Sequence, residues 1–293
     1  MRRPTIEWQV CGHCNYDCTY CIQSKASRQG HPSDDEVTKF LAFFSSLPNR
    51  WEIKMTGGEP FSFKAFMGRI IPGLVATTSH KISVLTNLSA PNAVLDRFAE
   101  TTYGRLGVVS ASLHLEFASA EEFADKACRL RERMAADATL VCNSVMVPGQ
   151  LEAAARAQAV LSARGLKFFP QLMKTKSGVF DYTEGDRKRL LPLVGEAPSP
   201  RQANVSPSYR GRLCYTGVDY FVLTQRGEAW SCRTARRFNE GYLGNVLEGS
   251  FARRQAPARC NYDICPCTVP ANRGMIQGVG DDLVGNDLLG EGP

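Results

Sequence analysis

No stretch of about 18 apolar residues occurs in the chain, so nothing in it is expected to span a membrane. The opening MRRPTIEWQV has two arginines but lacks the apolar core of a signal peptide. There is no internal repeat and no low-complexity block, which removes solenoid architectures from consideration. No run interleaves basic and aromatic residues densely enough to argue for nucleic acid. Recognisable acid–base motifs are scarce. These absences leave a cytoplasmic globular protein with no membrane and no nucleic-acid partner as the expectation.

What is present is ordinary in bulk and unusual in one residue. The 293 residues are 43% hydrophobic and 22% charged, enough for one large α/β domain or for a large domain and a smaller one. The formal charge is +6. Arginines cluster at Arg129, Arg131 and Arg133, at Arg187 and Arg189, at Arg210 and Arg212, and at Arg233, Arg236 and Arg237. Such clusters read as solvated faces, or more sharply as attraction for an anionic substrate or protein partner. The unusual residue is cysteine. Eleven of them without a secretory signal argue for metal or catalysis over a disulfide framework, and an odd count leaves at least one outside simple pairing.

Strand-like and helix-like segments alternate through the first two thirds. Strands are expected at 5–10, 52–57, 81–87, 106–114, 139–147 and 167–173. Helices are expected after the capping box Ser33/Glu36, over 63–75, from Asn92, after Ser119/Glu122 and over 150–164. Six successive βα units imply a parallel sheet curled into a partial (β/α)6 barrel of the TIM type, with function at the C-terminal ends of its strands. The Pro- and Ser-rich GEAPSPRQANVSPSYRG then reads as a linker. Beyond it lie Cys214, Cys232, Cys260, Cys265 and Cys267, and YFVLTQRGEAW reads as a hairpin turning at Arg226-Gly227. The expected division is a barrel over 1–195, a small cysteine-rich hairpin/helix domain over 196–272, and a flexible tail over 273–293.

The run CNYDCTYC places Cys14, Cys18 and Cys21 just past the first strand. Three thiolates at C-x3-C-x2-C suit three corners of a four-iron cubane with one iron left open. With Cys11 added, zinc is the alternative, and a redox CxxC a weaker one. TGGEP (56–60) closes the second strand: its glycines let backbone approach a ligand, Glu59 adds a carboxylate and Pro60 stiffens the turn.

Together, the two motifs over residues 5–175 resemble the radical SAM superfamily. The resemblance implies that Cys14, Cys18 and Cys21 hold a 4Fe–4S cluster whose open iron binds S-adenosylmethionine (SAM). It implies that Gly57, Gly58, Glu59 and Pro60 border the methionine amino group, and that Tyr20 packs near adenine. Thr86, Asn87, Ser110, Ser112, Asn143 and Gln171 are candidates to complete the SAM pocket, a plain strand-end hydrogen bond being the alternative for each. His114 and Glu116, at the mouth of strand four, are candidate catalytic contacts; many relatives with a C-terminal cluster domain carry Asp where His114 stands. Cys11 has no place in the pattern and reads as a small buried apolar residue. Activity would be one-electron cleavage of SAM to a 5′-deoxyadenosyl radical that abstracts hydrogen, fed by a flavodoxin- or ferredoxin-type reductant.

Cys214 and Cys232, spaced C-x12-G-x4-C through Gly227, resemble the opening half of SPASM and Twitch domains, and LGNVLEGSF (243–251) resembles a helix start found there. The resemblance implies one auxiliary 4Fe–4S cluster in the Twitch manner, with a further pair of ligands from Cys260, Cys265 and Cys267 and one cysteine to spare; zinc is again the alternative. The implied function is dehydrogenation or epimerisation of a small polar metabolite such as an amino sugar or cyclitol, of natural-product type. Maturation of a ribosomally made peptide is the alternative, against which the barrel begins at about residue 5 with no room for a preceding recognition domain. A molybdenum-cofactor cyclase ranks lower, because the chain does not end in Gly-Gly. A non-catalytic electron-transfer or zinc protein is the competing class.

Overall fold

The computed structural model describes residues 2–23, 28–175, 177–196, 198, 200–203 and 205–279. Its first part is β1 (Thr5–Cys11), α1 (Asp34–Ser46), β2 (Glu52–Gly57), α2 (Ile71–Thr77), β3 (Lys81–Thr86), α3 (Asn92–Thr101), β4 (Leu106–Leu113), α4 (Ala120–Arg133), β5 (Thr139–Met146), α5 (Leu151–Ala163) and β6 (Phe168–Leu172). Strands β1 to β6 lie side by side in chain order, all parallel. This is the expected partial barrel.

Alternation along each strand separates two interiors. In β1, Ile6, Trp8 and Val10 are fully buried, and Trp8 packs on Phe40 and Phe44 of α1 with ring centroids 4.8 and 5.0 Å apart. The alternate residues Glu7 and Gln9 face a central cavity. In β4, Val109, Ala111 and Leu113 are buried in the apolar core, whereas Ser110, Ser112 and His114 line the cavity. Helix ends follow local chemistry: Ser33 and Glu36 form the capping box of α1, and Ser119 caps α4. The helix expected over 63–75 is broken up. A 3-10 turn opened by Pro60 (Pro60–Ser62) and a π-helical stretch at Phe66–Ile70 precede α2; Pro72, at the start of α2, lacks the N–H that would bond back into the π-helical turn.

The remaining elements are the short pair β7 (Lys174–Thr175) and β8 (Gly178–Val179), α6 (Glu184–Val194), α7 (Pro200–Ala203), β9 (Leu213–Cys214), β10 (Tyr220–Leu223), β11 (Glu228–Trp230), α8 (Arg233–Arg237), β12 (Tyr242–Asn245), β13 (Ala258–Arg259) and α9 (Val269–Asn272). The hairpin β10/β11 turns where expected. It does not stand apart from the barrel: β10 pairs in parallel with β1, Thr5 opposite Tyr220 and Trp8 opposite Leu223, so one nine-stranded sheet runs β12-β11-β10-β1-β2-β3-β4-β5-β6. Residues 243–251 do not start a helix; β12 pairs there with β11, and Gly244 (φ +95°) brings the backbone of Ser250 close against it.

Residues 273–279, expected in a flexible tail, are packed: Met275 and Ile276 are buried, and Tyr215 N–H donates to the Met275 carbonyl. The rest of that tail, 280–293, lies outside the described residues. Arg273 reaches beneath the barrel and makes two hydrogen bonds to Glu52, at 2.6 and 2.8 Å, with both side chains buried. Against the burial that favours the neutral acid, Arg273 and the Ser83 hydroxyl hold Glu52 down to about 2. Its folded pKa lies below the unfolded one, so its contribution to stability is present above about pH 4.5 and is lost as pH falls toward 2. Arg273→Ala is expected to cost about 3–5 kcal/mol in urea unfolding, because it strands a buried carboxylate. The acid-side loss of stability should then begin at a higher pH than in the parent chain.

Candidate active site

The segment bearing Cys14, Cys18 and Cys21 has no helix or strand of its own, and three sets of contacts hold it. The first is backbone on backbone. Gly58 N–H donates to the Cys11 carbonyl at 3.0 Å and Glu59 N–H to the His13 carbonyl at 2.9 Å. A Cβ on Gly58 would lie 1.8 Å from the His13 oxygen, and one on Gly57 (φ +156°) 2.3 Å from the Cys11 oxygen. The glycines of TGGEP are therefore required by the cysteine segment itself, before any ligand is considered. Gln23, which the sequence does not single out, returns to this point and donates to the Gly57 carbonyl at 2.5 Å.

The second set radiates from Glu59. Its buried carboxylate accepts from Thr86 Oγ1 (2.8 Å), Asn87 N–H (2.7 Å) and Phe61 N–H (3.1 Å), tying the end of β2 to the end of β3. Burial outweighs these donors and raises its pKa to about 7. Asn87 Nδ2 in turn donates to Asn15 Oδ1 between the first two cysteines (3.1 Å), and Asn15 donates to Ser89 (2.9 Å). Pro60 opens the 3-10 turn that follows.

The third set comes from the mouth of β4. His114 Nδ1 is 3.3 Å from Cys18 Sγ and 2.8 Å from the Tyr20 hydroxyl, and its ring stacks on Tyr20. Glu116 accepts from the Thr19 N–H at 3.0 Å and from the Thr19 hydroxyl. Phe117 stacks on Tyr16, centroids 4.5 Å apart. The two residues singled out as catalytic candidates, His114 and Glu116, thus grip the segment between Tyr16 and Tyr20.

Cys14, Cys18 and Cys21 line one end of a cavity of about 1350 Å³, together with Gly57, Gly58 and Glu59. Burial and the neighbouring thiols Cys14 and Cys21 push Cys18 up to about 11; cationic iron would act in the opposite direction. Cys11 is fully buried, and its thiol donates to the carbonyls of His13 and Glu59. Further in, Asn143 joins the remaining candidates into one ladder: Ser112 Oγ and Gln171 Nε2 donate to its Oδ1 (2.8 and 2.9 Å), and its Nδ2 donates to Ser110 Oγ (3.0 Å).

The C-terminal cysteines divide between two cavities. Cys214, Cys232, Cys260 and Cys265 line a small one of about 100 Å³. Cys267 lines the large one, where its thiol donates to Glu7 Oε2 at 3.3 Å. Among the described residues no three His, Cys, Asp or Glu side chains gather around a single point. Ligands of a multi-iron cluster each bind a different iron and do not converge on one point. The soft donor set and the tightly docked segment fit such a cluster.

Gly58→Ala is expected to displace the cysteine segment. Iron bound after anaerobic reconstitution should fall by about half, the share of one of two four-iron clusters. Gly68→Ala, where a Cβ meets nothing within 4 Å, should leave iron content unchanged.

Residues 8–139 match the family model described as the radical SAM superfamily. No curated protein sequence matches the chain. Among solved structures, native anSMEcpe with bound AdoMet and Kp18Cys peptide is 14% identical, with a TM-score of 0.55, over 84% of this chain and 78% of that one. Streptococcus suis SuiB bound to precursor peptide SuiA is 11% identical, with a TM-score of 0.59, over 84% of this chain and 63% of SuiB. BtrN in complex with AdoMet and 2-DOIA is 14% identical, and its TM-score of 0.48 is too low to argue from. The family match over residues 8–139 and the shared fold agree with the docked three-cysteine segment: this part of the chain is similar to the radical SAM domain.

Proposed function

We propose that the protein is a radical SAM enzyme with one auxiliary 4Fe–4S cluster, acting on a small polar metabolite by epimerisation or dehydrogenation in a natural-product setting. When bound, the catalytic cluster and SAM supply the 5′-deoxyadenosyl radical that abstracts hydrogen. Cys14, Cys18 and Cys21 would hold that cluster. Tyr20, Gly57 to Pro60, Thr86 and Asn87 would border SAM. The ladder Ser110, Ser112, Asn143 and Gln171 offers hydroxyl and amide groups to SAM or to a polar substrate. His114 and Glu116 act in this reading by positioning the cysteine segment. The reductant would be a ferredoxin- or flavodoxin-type protein of the cytoplasm.

The single observation that carries the finer reading is the division of the C-terminal thiols. The four around the small cavity are the natural ligands of a closed auxiliary cluster, in the manner of a Twitch domain, which leaves Cys267 as the spare. Its thiol faces the large cavity, against Glu7. A thiol there can return a hydrogen atom to a substrate carbon radical, which favours inversion over oxidation. The thiyl radical left behind takes one electron from the protein reductant and one proton from solvent. A peptide substrate is the second reading, supported by the peptide-bound complexes of anSMEcpe and SuiB.

Anaerobic reconstitution should give about eight irons per chain, and reduction should convert SAM to 5′-deoxyadenosine. Cys265→Ala should lose about half the iron and Cys267→Ala none. About one zinc per cysteine group with no SAM cleavage would contradict the proposal. Once a substrate is in hand, deuterium taken up from solvent into product marks inversion, and a product lighter by two hydrogens marks oxidation.

A further inference from the structure

The wall of the large cavity around β1 carries more positive charge than its own carboxylates balance. Glu7 and Glu52 face inward from β1 and β2, and each has an arginine: Arg233 Nε donates to Glu7 at 3.1 Å, and Arg273 is paired with Glu52. Lys54 lies opposite Glu7 in the strand register and acts electrostatically on both acids, a third cation among two closed pairs. Arg236, one helical turn from Arg233 on α8, donates at 3.4 Å to the neutral amide oxygen of Gln9, the next inward residue of β1. No carboxylate pairs with Arg236 among the described residues; Glu228 acts on it electrostatically without a salt bridge. Lys54 and Arg236 both line the cavity.

Partly buried cations without full compensation are costly, and an anion that enters the cavity relieves that cost. Glu7 stands four residues before Cys11, about 13 Å down the strand from the cysteine segment. The charged wall therefore lies a layer below the Gly57–Glu59 end. The facing wall is neutral: Ser110, Ser112, Asn143 and Gln171 present hydroxyls and amides. The cavity is polar at both walls and cationic at one.

We propose that this wall is a subsite for an oxyanion of the substrate, a phosphate or carboxylate group held by Lys54 and Arg236. The inference rests on the radical SAM reading and narrows its substrate class to an anionic, hydroxyl- or amide-bearing molecule. Binding at a group remote from the reacting carbon would fix that carbon in the cavity. Arg233 keeps Glu7 ionised beneath Cys267, and so sets the lower border of the subsite.

The test is calorimetric titration of the reconstituted, oxygen-free protein with inorganic phosphate and, separately, with acetate, each with and without saturating SAM. At least one should bind and bind equally well beside SAM, with affinity falling as salt rises. Arg236→Gln and Lys54→Gln should each weaken it about tenfold, the effect of losing one charge-assisted contact. Arg129→Gln, on the surface beside Asp96, should have no effect. Phosphate alone binding assigns a phosphorylated substrate, and acetate alone a carboxylate. If neither binds while SAM does, the subsite is wrong and the radical SAM reading stands. Displacement of the anion by SAM, or indifference to both substitutions, also overturns it. Failure to bind SAM at all would instead count against the enzyme reading.

Discussion

A cysteine segment without secondary structure must be held to within a fraction of an ångström if three thiolates are to meet one cluster. The constraint that achieves this is the contact of two backbones: the stretch after β1 lies directly on Gly57 and Gly58 at the end of β2. No side chain other than hydrogen fits between them. Everything else at the site refines that contact. Glu59 locks the end of β2 to β3, Asn87 passes the lock on to Asn15, and the mouth of β4 grips Tyr16, Cys18, Thr19 and Tyr20. The placement of the cysteine segment is thereby a product of sheet geometry, since each of its anchors sits at the C-terminal end of a neighbouring parallel strand.

The same sheet brings Cys267, from the second group of cysteines, to the large cavity. Because β10 adds to the free edge of β1, the helix after the hairpin lies beside the inward face of β1, and Arg233 and Arg236 reach Glu7 and Gln9. Glu7 is the meeting point. It accepts from Arg233, from the Tyr220 hydroxyl and from the Cys267 thiol, and although burial opposes it, Arg233 and Lys54 hold it down to about 2. One ionised carboxylate thus fixes the arginine, the tyrosine and the Cys267 thiol against the barrel wall.

Much of this was legible in the sequence where period and spacing speak directly. The six strands follow from alternation, the caps of α1 and α4 from Ser33/Glu36 and Ser119/Glu122, and the cysteine segment from its spacing and the TGGEP one βα unit later. What was not legible depends on contacts far apart in the chain. Nothing in YFVLTQRGEAW announces a parallel neighbour more than 200 residues away, so the hairpin read as part of a separate unit. Arg233 and Arg236 read as part of a solvated cluster, although their one-turn spacing is the signal that both share a helix face. His114 and Glu116 stand out in the sequence by their place at a strand mouth, while their hydrogen-bond partners in the cysteine segment are visible only in three dimensions. Residues 273–279 read as tail because Gly and Asp dominate the last residues of the chain, yet Arg273 is anchored by Glu52.

The central claim is that Cys14, Cys18 and Cys21 hold a cluster with one iron free to bind SAM. Mössbauer spectroscopy of the iron-57-loaded, oxygen-free protein, recorded before and after adding SAM, tests it most directly. The account predicts that about one iron in eight changes its isomer shift on SAM addition. Spectra that are unchanged by SAM, with every iron already fully ligated by the protein, would contradict it.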